Sequence, residues 1–301
     1  MIAADLFSWS ERAPSPLPRA GCAVGVVDGA LVAAGGTYWQ EGQKFWSDRV
    51  DRYDALENRW TSLPSLPQAR GDAPAATVGN VFNVLGGGTA GAAETSVYAY
   101  SHARWTIEQR MTLPQPRRSS AAVVMGETIY LIGGLTGTGS DFATATSTMW
   151  SMSPGSSWRP CAAVPGPVRF NAAVGAFDYR IIVAGGCTPE AGSVRNLDDI
   201  LIYDTRADTW STLGRLPYPL RGACGLADDS RLLVIGGYTD RFLTCIQAVD
   251  FRTGDVSVVG ELPLALADTR FVALRQSVFG VTGENGIKQR FPGTLESNPP
   301  H

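Results

Sequence analysis

Residues 232–237 read Leu-Leu-Val-Ile-Gly-Gly, a short apolar run that ends on paired glycines. The same arrangement returns along the chain, and Thr282-Gly283 is a degenerate sixth copy. The complete pairs are Gly35-Gly36, Gly86-Gly87, Gly133-Gly134, Gly185-Gly186 and Gly236-Gly237. Counted between second glycines, the steps are 51, 47, 52, 51 and 46 residues. A period near 50 residues predicts one supersecondary unit repeated around a ring.

The rest of the unit repeats in step with the glycines. Each apolar run is preceded by an arginine: Arg19, Arg70, Arg118 (or Arg117), Arg169, Arg221 and Arg270. A Tyr-Asp-type strand is followed seven residues later by tryptophan at Tyr53 to Trp60, Tyr98 to Trp105, Ser151 to Trp158 and Tyr203 to Trp210. Each unit closes on Leu-Pro or Val-Pro, as at Leu66-Pro67 and Val164-Pro165. These residues are the kelch signature, and the chain resembles a kelch-repeat protein over nearly its whole length.

The period and the resemblance together predict an all-β fold. We expect a six-bladed kelch-type β-propeller with four-stranded antiparallel blades, folded as a single domain over residues 1–291. A strand over residues 5–10 is expected to complete the last blade and close the ring, because Trp9 lies 51 residues before Trp60. The third strand of that blade is expected around residues 287–291. We expect residues 292–301 to form a loose tail.

Charge and hydropathy narrow the class of partner. The formal net charge is −3 and the sequence pI is about 5.5, which argues against nucleic acid because phosphate binding needs a basic face. No apolar run is long enough for a membrane helix, so no membrane partner is expected. The chain as given is expected to be cytoplasmic, or periplasmic if a leader was removed. The sequence leaves the oligomeric state open, a homodimer included.

Cysteine and histidine usage disfavours metal chemistry. The five cysteines are an odd number without paired spacing, and Cys22 and Cys224 are expected to be small buried core residues. The only histidines are His102 and His301, too few for a histidine-based metal site or a catalytic triad. A copper radical oxidase on a kelch scaffold is disfavoured for the same reason. We therefore expect neither a metal nor a cofactor.

The repeated arginines suggest an anion site. In an antiparallel meander the first strand starts where the second ends, so every blade places its arginine and its post-glycine loop on one face of the ring. Arginines at the channel mouth would attract an anion even though the net charge of the chain is negative. The candidate anchors for a substrate carboxylate are Arg70, Arg169, Arg221 and Arg270. Equally, each arginine could only tie neighbouring blades together.

Two loops depart from the repeat, after Gly36 and after Gly283, and both resemble one family. Glu284 directly follows a glycine and Arg290 lies six residues further on. The other loop contains Glu41-Gly42-Gln43-Lys44 and leads to Asp48. In both motifs the chain is similar to the N-acetylneuraminate epimerases, the sialic acid mutarotases. The blade with the glutamate comes last here and the other first, which implies a circularly permuted form.

The resemblance implies a mutarotase that interconverts the anomers of a sialic acid or a related small acidic sugar. Glu284 would act as the acid–base group, and Arg290 would stabilise negative charge or tune the acidity of Glu284. Tyr38 and Trp39 would cover the apolar face of the sugar, and Asp48 and Lys44 are further candidate contacts. Two alternatives remain open: Glu284 as a solvent-facing carboxylate paired with Lys288 or Arg290, and a non-catalytic kelch module that binds an acidic ligand or peptide.

Overall fold

The computed structural model describes residues 7–137, 139, 141–228 and 230–298. Its first strands are β1 (Trp9–Arg12), β2 (Ala23–Val27), β3 (Ala30–Ala34), β4 (Thr37–Gln40), β5 (Gln43–Trp46), β6 (Val50–Asp54), β7 (Arg59–Leu63), β8 (Ala75–Val78), β9 (Val81–Leu85), β10 (Val97–Ser101) and β11 (Arg104–Ile107). The middle strands are β12 (Ala121–Met125), β13 (Thr128–Ile132), β14 (Met149–Met152), β15 (Arg159–Cys161), β16 (Ala173–Phe177), β17 (Arg180–Ala184), β18 (Cys187–Glu190), β19 (Ser193–Asp204) and β20 (Thr209–Leu220). The last strands are β21 (Cys224–Ala227), β22 (Arg231–Ile235), β23 (Leu243–Asp250), β24 (Val256–Leu266), β25 (Arg270–Leu274), β26 (Ser277–Val281), β27 (Glu284–Gly286), β28 (Gln289–Arg290) and β29 (Thr294–Ser297).

These strands form six antiparallel blades of four strands each. From the inner strand outward, the blades are β2-β3-β6-β7, β8-β9-β10-β11, β12-β13-β14-β15, β16-β17-β19-β20, β21-β22-β23-β24 and β25-β26-β29-β1. Each inner strand contacts the next one, and β2 also contacts β25, so the ring is closed. Small hairpins follow the glycines in three blades: β4–β5 in blade 1, β18 with the start of β19 in blade 4, and β27–β28 in blade 6. The two short helices are 3₁₀ turns at Gln109–Met111 and Phe142–Thr144.

In each of the first five blades, the second strand ends at the glycine pair. Both glycines have a backbone conformation that residues with side chains rarely adopt. At Gly35 and Gly36 the φ angles are 67° and 99°. A Cβ atom added at Gly36 would lie 2.4 Å from the sulfur of Cys22 on the inner strand. Glycine therefore lets the chain leave the blade beside the inner strand of the same blade.

The hydrophobic core lies between adjacent blades. Leu31 and Tyr53 of blade 1, for example, pack against Leu274 and Phe279 of blade 6. The outer-strand tryptophans also join successive blades, because each donates its indole N–H to a backbone carbonyl before its blade. These bonds are Trp60 to Ala13 at 3.0 Å, and Trp105 to Pro64, Trp158 to Met111 and Trp210 to Ala162, each at 2.8 Å.

The N-terminal strand closes the ring, as the sequence predicts, but its partner lies further along the chain than expected. β1 pairs with β29, with Trp9 opposite Ser297, so Thr294–Ser297 is the third strand of blade 6. The expectation of that strand around 287–291 is wrong, because Gln289–Arg290 folds back onto Glu284–Gly286. The loose tail is likewise wrong for residues 294–297. Residues 5–6 and 299–301 lie outside the described part of the chain, in which no helix is long and apolar enough to cross a membrane.

Candidate active site at the mouth of the axial channel

Apart from Arg270, the arginines of the repeat fall into two classes whose positions are one residue apart. Arg19, Arg70 and Arg169 each stand 16 residues before the first glycine of their blade and donate to its carbonyl. The Nη1 to O distances are 2.9 Å to Gly35, 2.7 Å to Gly86 and 3.3 Å to Gly185. All three side chains are buried. They hold the end of each second strand in place.

The first class directs its guanidinium groups into its own blade. Arg169 pairs with Asp199 at 2.6 Å. Arg70 bonds to the carbonyl and hydroxyl oxygens of Ser96 at 3.2 and 3.1 Å, and its guanidinium lies 3.9 Å from the ring centre of Tyr98. The structure therefore does not bring Arg70 and Arg169 to the channel mouth. Both arginines are ties within a blade, whereas the alternative to ligand binding expected ties between neighbouring blades.

The second class stands one residue later and faces the mouth. At this register, residues on neighbouring segments form isolated antiparallel bridges in every blade: Ala20 with Thr37, Gly71 with Gly88, Arg118 with Leu135, Phe170 with Cys187, Arg221 with Tyr238, and Ala267 with Glu284. In blade 5 the residue equivalent to Arg70 is thus Leu220, which is buried. Arg221 and Glu284 consequently project onto the same face of the propeller.

The next residue of each blade joins the blades into an inner ring. Gly21, Asp72, Ser119, Asn171, Gly222 and Asp268 all have φ between 50° and 65°. In this left-handed conformation their backbone N–H groups donate across blades, as from Ser119 to Asp72 at 2.7 Å and from Asp268 to Gly222 at 2.8 Å. The ring places the carboxyl groups of Asp72 and Asp268 at the channel mouth.

Above this ring lies a cleft with two sides that share Lys44, Asp268 and Glu284. One side has a volume of about 430 Å³ and is lined also by Trp46, Asp72, Arg118, Phe142 and Phe170. The other side has a volume of about 420 Å³ and is lined also by Trp39, Arg221, Tyr238, Phe242, Lys288 and Arg290. A concave site with aromatic walls and a few convergent charges is typical of a small-molecule pocket. Below, we call these the Arg118 side and the Arg221 side.

The hairpin β27–β28 holds Glu284 and Arg290 in register, since the two residues are directly opposite each other. Arg290 Nη1 lies 2.6 Å from Glu284 Oε1. Arg290 also donates from Nε to the carbonyl of Thr37 at 3.1 Å and from Nη2 to its hydroxyl at 3.3 Å. Arg290 is therefore fixed between blades 6 and 1, with only 6% of its side chain exposed. The carboxylate of Glu284 remains 26% exposed, on the cleft side.

The surroundings of Glu284 give it an unusual acidity. Burial, and then the charge of Asp268, raise the pKa of Glu284 to about 7, although Arg290 acts in the opposite direction. Burial likewise raises the pKa of Asp268, partly offset by Arg270. A carboxyl group whose pKa is near neutrality can both accept and donate a proton at physiological pH. Among the described residues, no group of three or more His, Cys, Asp or Glu side chains is arranged to hold a metal ion.

Hairpin β4–β5 contributes only one of its faces to the cleft. Trp39 pairs across the hairpin with Lys44, and both line the cleft. Tyr38 is paired with Phe45, and the two rings stack at 5.5 Å on the opposite face, so Tyr38 is not a wall of the cleft. Asp48 is exposed and lies outside both sides.

The four candidate arginines thus separate in space. Arg221 lines the cleft, donates from Nη1 to Asn196 Oδ1 at 2.7 Å and lies over the ring of Tyr238 at 4.6 Å. Arg270 lines the axial channel beneath the cleft instead. Sequence reasoning missed Asp268, because no motif marks it. Only its position in the inner ring could have identified it. It also missed Trp46 and Tyr238.

A closed ring of six four-stranded blades with a cleft at the channel mouth defines a six-bladed β-propeller. The family model of the KLHDC2/KLHL20/DRC7 Kelch-repeats domain matches residues 74–283, and the model of the Kelch motif matches residues 18–67. The chain belongs to the kelch-repeat family.

Comparison with individual proteins gives more distant similarities. The chain is 26% identical to the Kelch-like protein terF of Aspergillus terreus over 252 residues, 76% of this chain and 52% of that protein. It is 26% identical to Alpha-scruin of Limulus polyphemus over 285 residues, 88% of this chain and 30% of that protein. It is 32% identical to the N-acetylneuraminate epimerase of Brucella suis over 148 residues, 46% of this chain and 36% of that protein. The chain thus spans about half or less of the length of these relatives.

The solved structure of YjhT has the same fold. It superposes with a TM-score of 0.75 at 15% sequence identity and covers 95% of both chains. At this identity the likeness concerns the arrangement of blades only.

Proposed function

We propose that the protein is a mutarotase that interconverts the anomers of a sialic acid or a related acidic sugar. The main observation in favour is the carboxyl group of Glu284, which faces an aromatic-walled cleft with a pKa near 7 and a guanidinium at 2.6 Å. The partial similarity to an N-acetylneuraminate epimerase agrees with this reaction. The position of the Glu284 blade at the end of the chain corresponds to a circularly permuted form.

The chemistry requires one acid–base group. Ionised Glu284 removes the proton from the anomeric hydroxyl while the ring C–O bond breaks, and the ring oxygen receives a proton from the same carboxyl group. The open keto form then rotates and closes by the reverse steps, so that no proton is gained or lost overall. Arg290 stabilises the negative charge that develops on oxygen. The reaction needs no cofactor.

Recognition of the sugar's own carboxylate is assigned to Arg221. Among the described residues, its hydrogen bonds use only Nη1, so Nη2 and Nε are free for a bidentate contact on the Arg221 side. Trp39 offers an apolar face for the sugar ring. The ammonium of Lys288 lies 4.8 Å from the centre of the Trp39 ring. Lys44 adds positive charge where the two sides of the cleft meet.

A second candidate function is a binding module for an acidic peptide without catalysis. The observation that favours it is the presence of a guanidinium on each side of an open cleft, with Arg118 on one side and Arg221 on the other. Such spacing could engage two carboxylates of one extended chain.

Anomer exchange measured by NMR separates these functions. The purified chain is added to N-acetylneuraminate, and magnetisation exchange between the two anomers is compared with buffer alone and with a neutral N-acetylated hexose. The mutarotase proposal expects faster exchange for the acidic sugar only. A panel of nonulosonic and uronic acids is tested in the same way. If no acidic sugar is accelerated and an acidic peptide binds, the second candidate replaces the mutarotase proposal.

A further inference from the structure

The axial channel beneath the cleft is lined by small side chains and contains one cation. Five blades place an apolar residue at the first paired position of the inner strand or its equivalent: Ala23, Pro74, Ala121, Ala173 and Cys224. Blade 6 places Arg270 at this position, paired with Val281. The guanidinium therefore enters a channel whose other walls are mostly small apolar residues, together with Phe271 and the polar side chains of Ser120, Asn171 and Asp268.

Arg270 differs from the structural arginines in its lack of partners. Within the described part of the chain its single hydrogen bond runs from Nε to the carbonyl of Cys22 at 3.5 Å, and it forms no ion pair. By comparison, buried Arg19 makes three hydrogen bonds, one of them to Asp51. A guanidinium partly withdrawn from water needs a negative partner, because unpaired charge in such a site costs free energy.

Asp268 is the nearest candidate for that partner but does not fill the role. It lines the channel two residues before Arg270, yet no oxygen of Asp268 is within ion-pair distance of the Arg270 nitrogens. Burial raises the pKa of Asp268 and the charge of Arg270 lowers it, so the two groups interact only across a distance longer than an ion pair. Among the described residues, Arg270 therefore has no ion-pair partner in the channel.

The size of the channel limits the guest. Its volume is about 150 Å³, which is room for a few water molecules or one small ion with water, since each water occupies roughly 30 Å³ of liquid. A sugar is too large. A single guanidinium balances one negative charge, which favours an ion of single charge over sulfate or phosphate, since these lose more hydration free energy on entry.

We propose that the axial channel binds a small monovalent inorganic anion of the halide class, held by the guanidinium of Arg270. The site lies below the inner ring, whose Asn171, Gly222 and Asp268 line both the channel and the cleft in which the sugar is proposed to bind. Ionised Asp268 would compete with the anion for Arg270. Loss of that carboxylate should therefore strengthen anion binding.

The test uses sodium bromide against sodium glutamate at matched ionic strength, because glutamate is too large for the channel and is not a sugar acid. For the wild-type chain, bromide should raise Tm by about 2–4 °C. Arg270→Gln should abolish this rise, whereas Arg252→Gln, at an exposed loop position, should keep it. Equal Tm values in both salts for the wild type, or a rise retained in R270Q, would overturn the proposal.

A second variant and a direct observation guard against failure of R270Q to fold. Asp268→Asn preserves a residue type that tolerates the left-handed conformation, and it should enlarge the bromide-dependent rise. An unchanged or smaller rise in D268N contradicts the proposal. In crystals soaked in bromide, the anomalous difference map should contain a peak in contact with the Arg270 guanidinium, and a map without that peak also contradicts it.

Discussion

Two hairpins of the propeller contain the same kind of ion pair in opposite surroundings. In blade 4, Glu190 and Arg195 are joined at 2.8 Å, with 55% and 50% of their side chains exposed. In blade 6, Glu284 and Arg290 are joined at 2.6 Å, with 26% and 6% exposed. Both hairpins follow the glycine pair of their blade. The pairs differ in position, because Glu190 is at the hairpin tip and Glu284 is at its base, beside the inner ring.

This difference shows that position within the repeat, rather than the presence of the pair, creates a reactive carboxyl group. At the tip, water screens the charges and the pair contributes little. At the base, burial and the neighbouring Asp268 raise the pKa of Glu284 to about 7. In blade 4 the base position is occupied by Cys187, which is buried. Only blade 6 combines a glutamate at the base with an arginine that is anchored to the next blade.

The largest expected difference is between substitutions of the two glutamates, measured as the rate of anomer exchange. Glu284→Gln should lower the rate of anomer exchange by about 10²–10⁴-fold, because the amide cannot take up or release the proton. Glu190→Gln should leave the rate unchanged, since its carboxylate is solvent-exposed and lines neither side of the cleft. The measurement is NMR exchange at saturating sugar. Equal rates for E284Q and the wild type would contradict the assigned role.

A smaller effect is expected for the two arginines. Arg290 lowers the pKa of Glu284, so Arg290→Gln should move this pKa further above 7. At neutral pH a larger fraction of Glu284 is then protonated, so less of the ionised base is present. The rate near pH 7 should fall about 5-fold for a shift of one unit from a pKa of about 7, with partial recovery at higher pH. Arg195→Gln should keep the wild-type pH profile, and an R290Q profile identical to the wild type would refute the coupling.

Much of the fold could be predicted from the sequence, because the glycine pairs and the tryptophans recur for reasons of backbone geometry and packing. The third strand of blade 6 was mispredicted since Thr294–Ser297 lacks the Tyr-Asp pattern and follows an inserted hairpin. The arginines look alike in sequence, yet a shift of one residue separates buried Arg70 from Arg221 at the cleft. Counting back from the glycines would have revealed that shift.

Residues of the site could be predicted only where a loop departs from the repeat pattern. Glu284 stands out because no other blade has a glutamate directly after its second glycine. Asp268 was not predictable, since Gly, Asp, Ser and Asn all occupy its ring position and its effect on Glu284 depends on the closed ring. Tyr38 was assigned to the sugar by its chemistry, but strand alternation turns it away from the cleft.

The pKa of the Glu284 carboxyl group is the quantity on which the account depends most directly. It can be measured by carbon NMR of the chain labelled at the carboxyl carbon of glutamate, with E284Q identifying the signal and the Glu190 signal as the exposed reference. We predict a midpoint of about 7 for Glu284. A midpoint at the ordinary value of about 4.5 would contradict the claim that the base of this hairpin makes Glu284 an acid–base group.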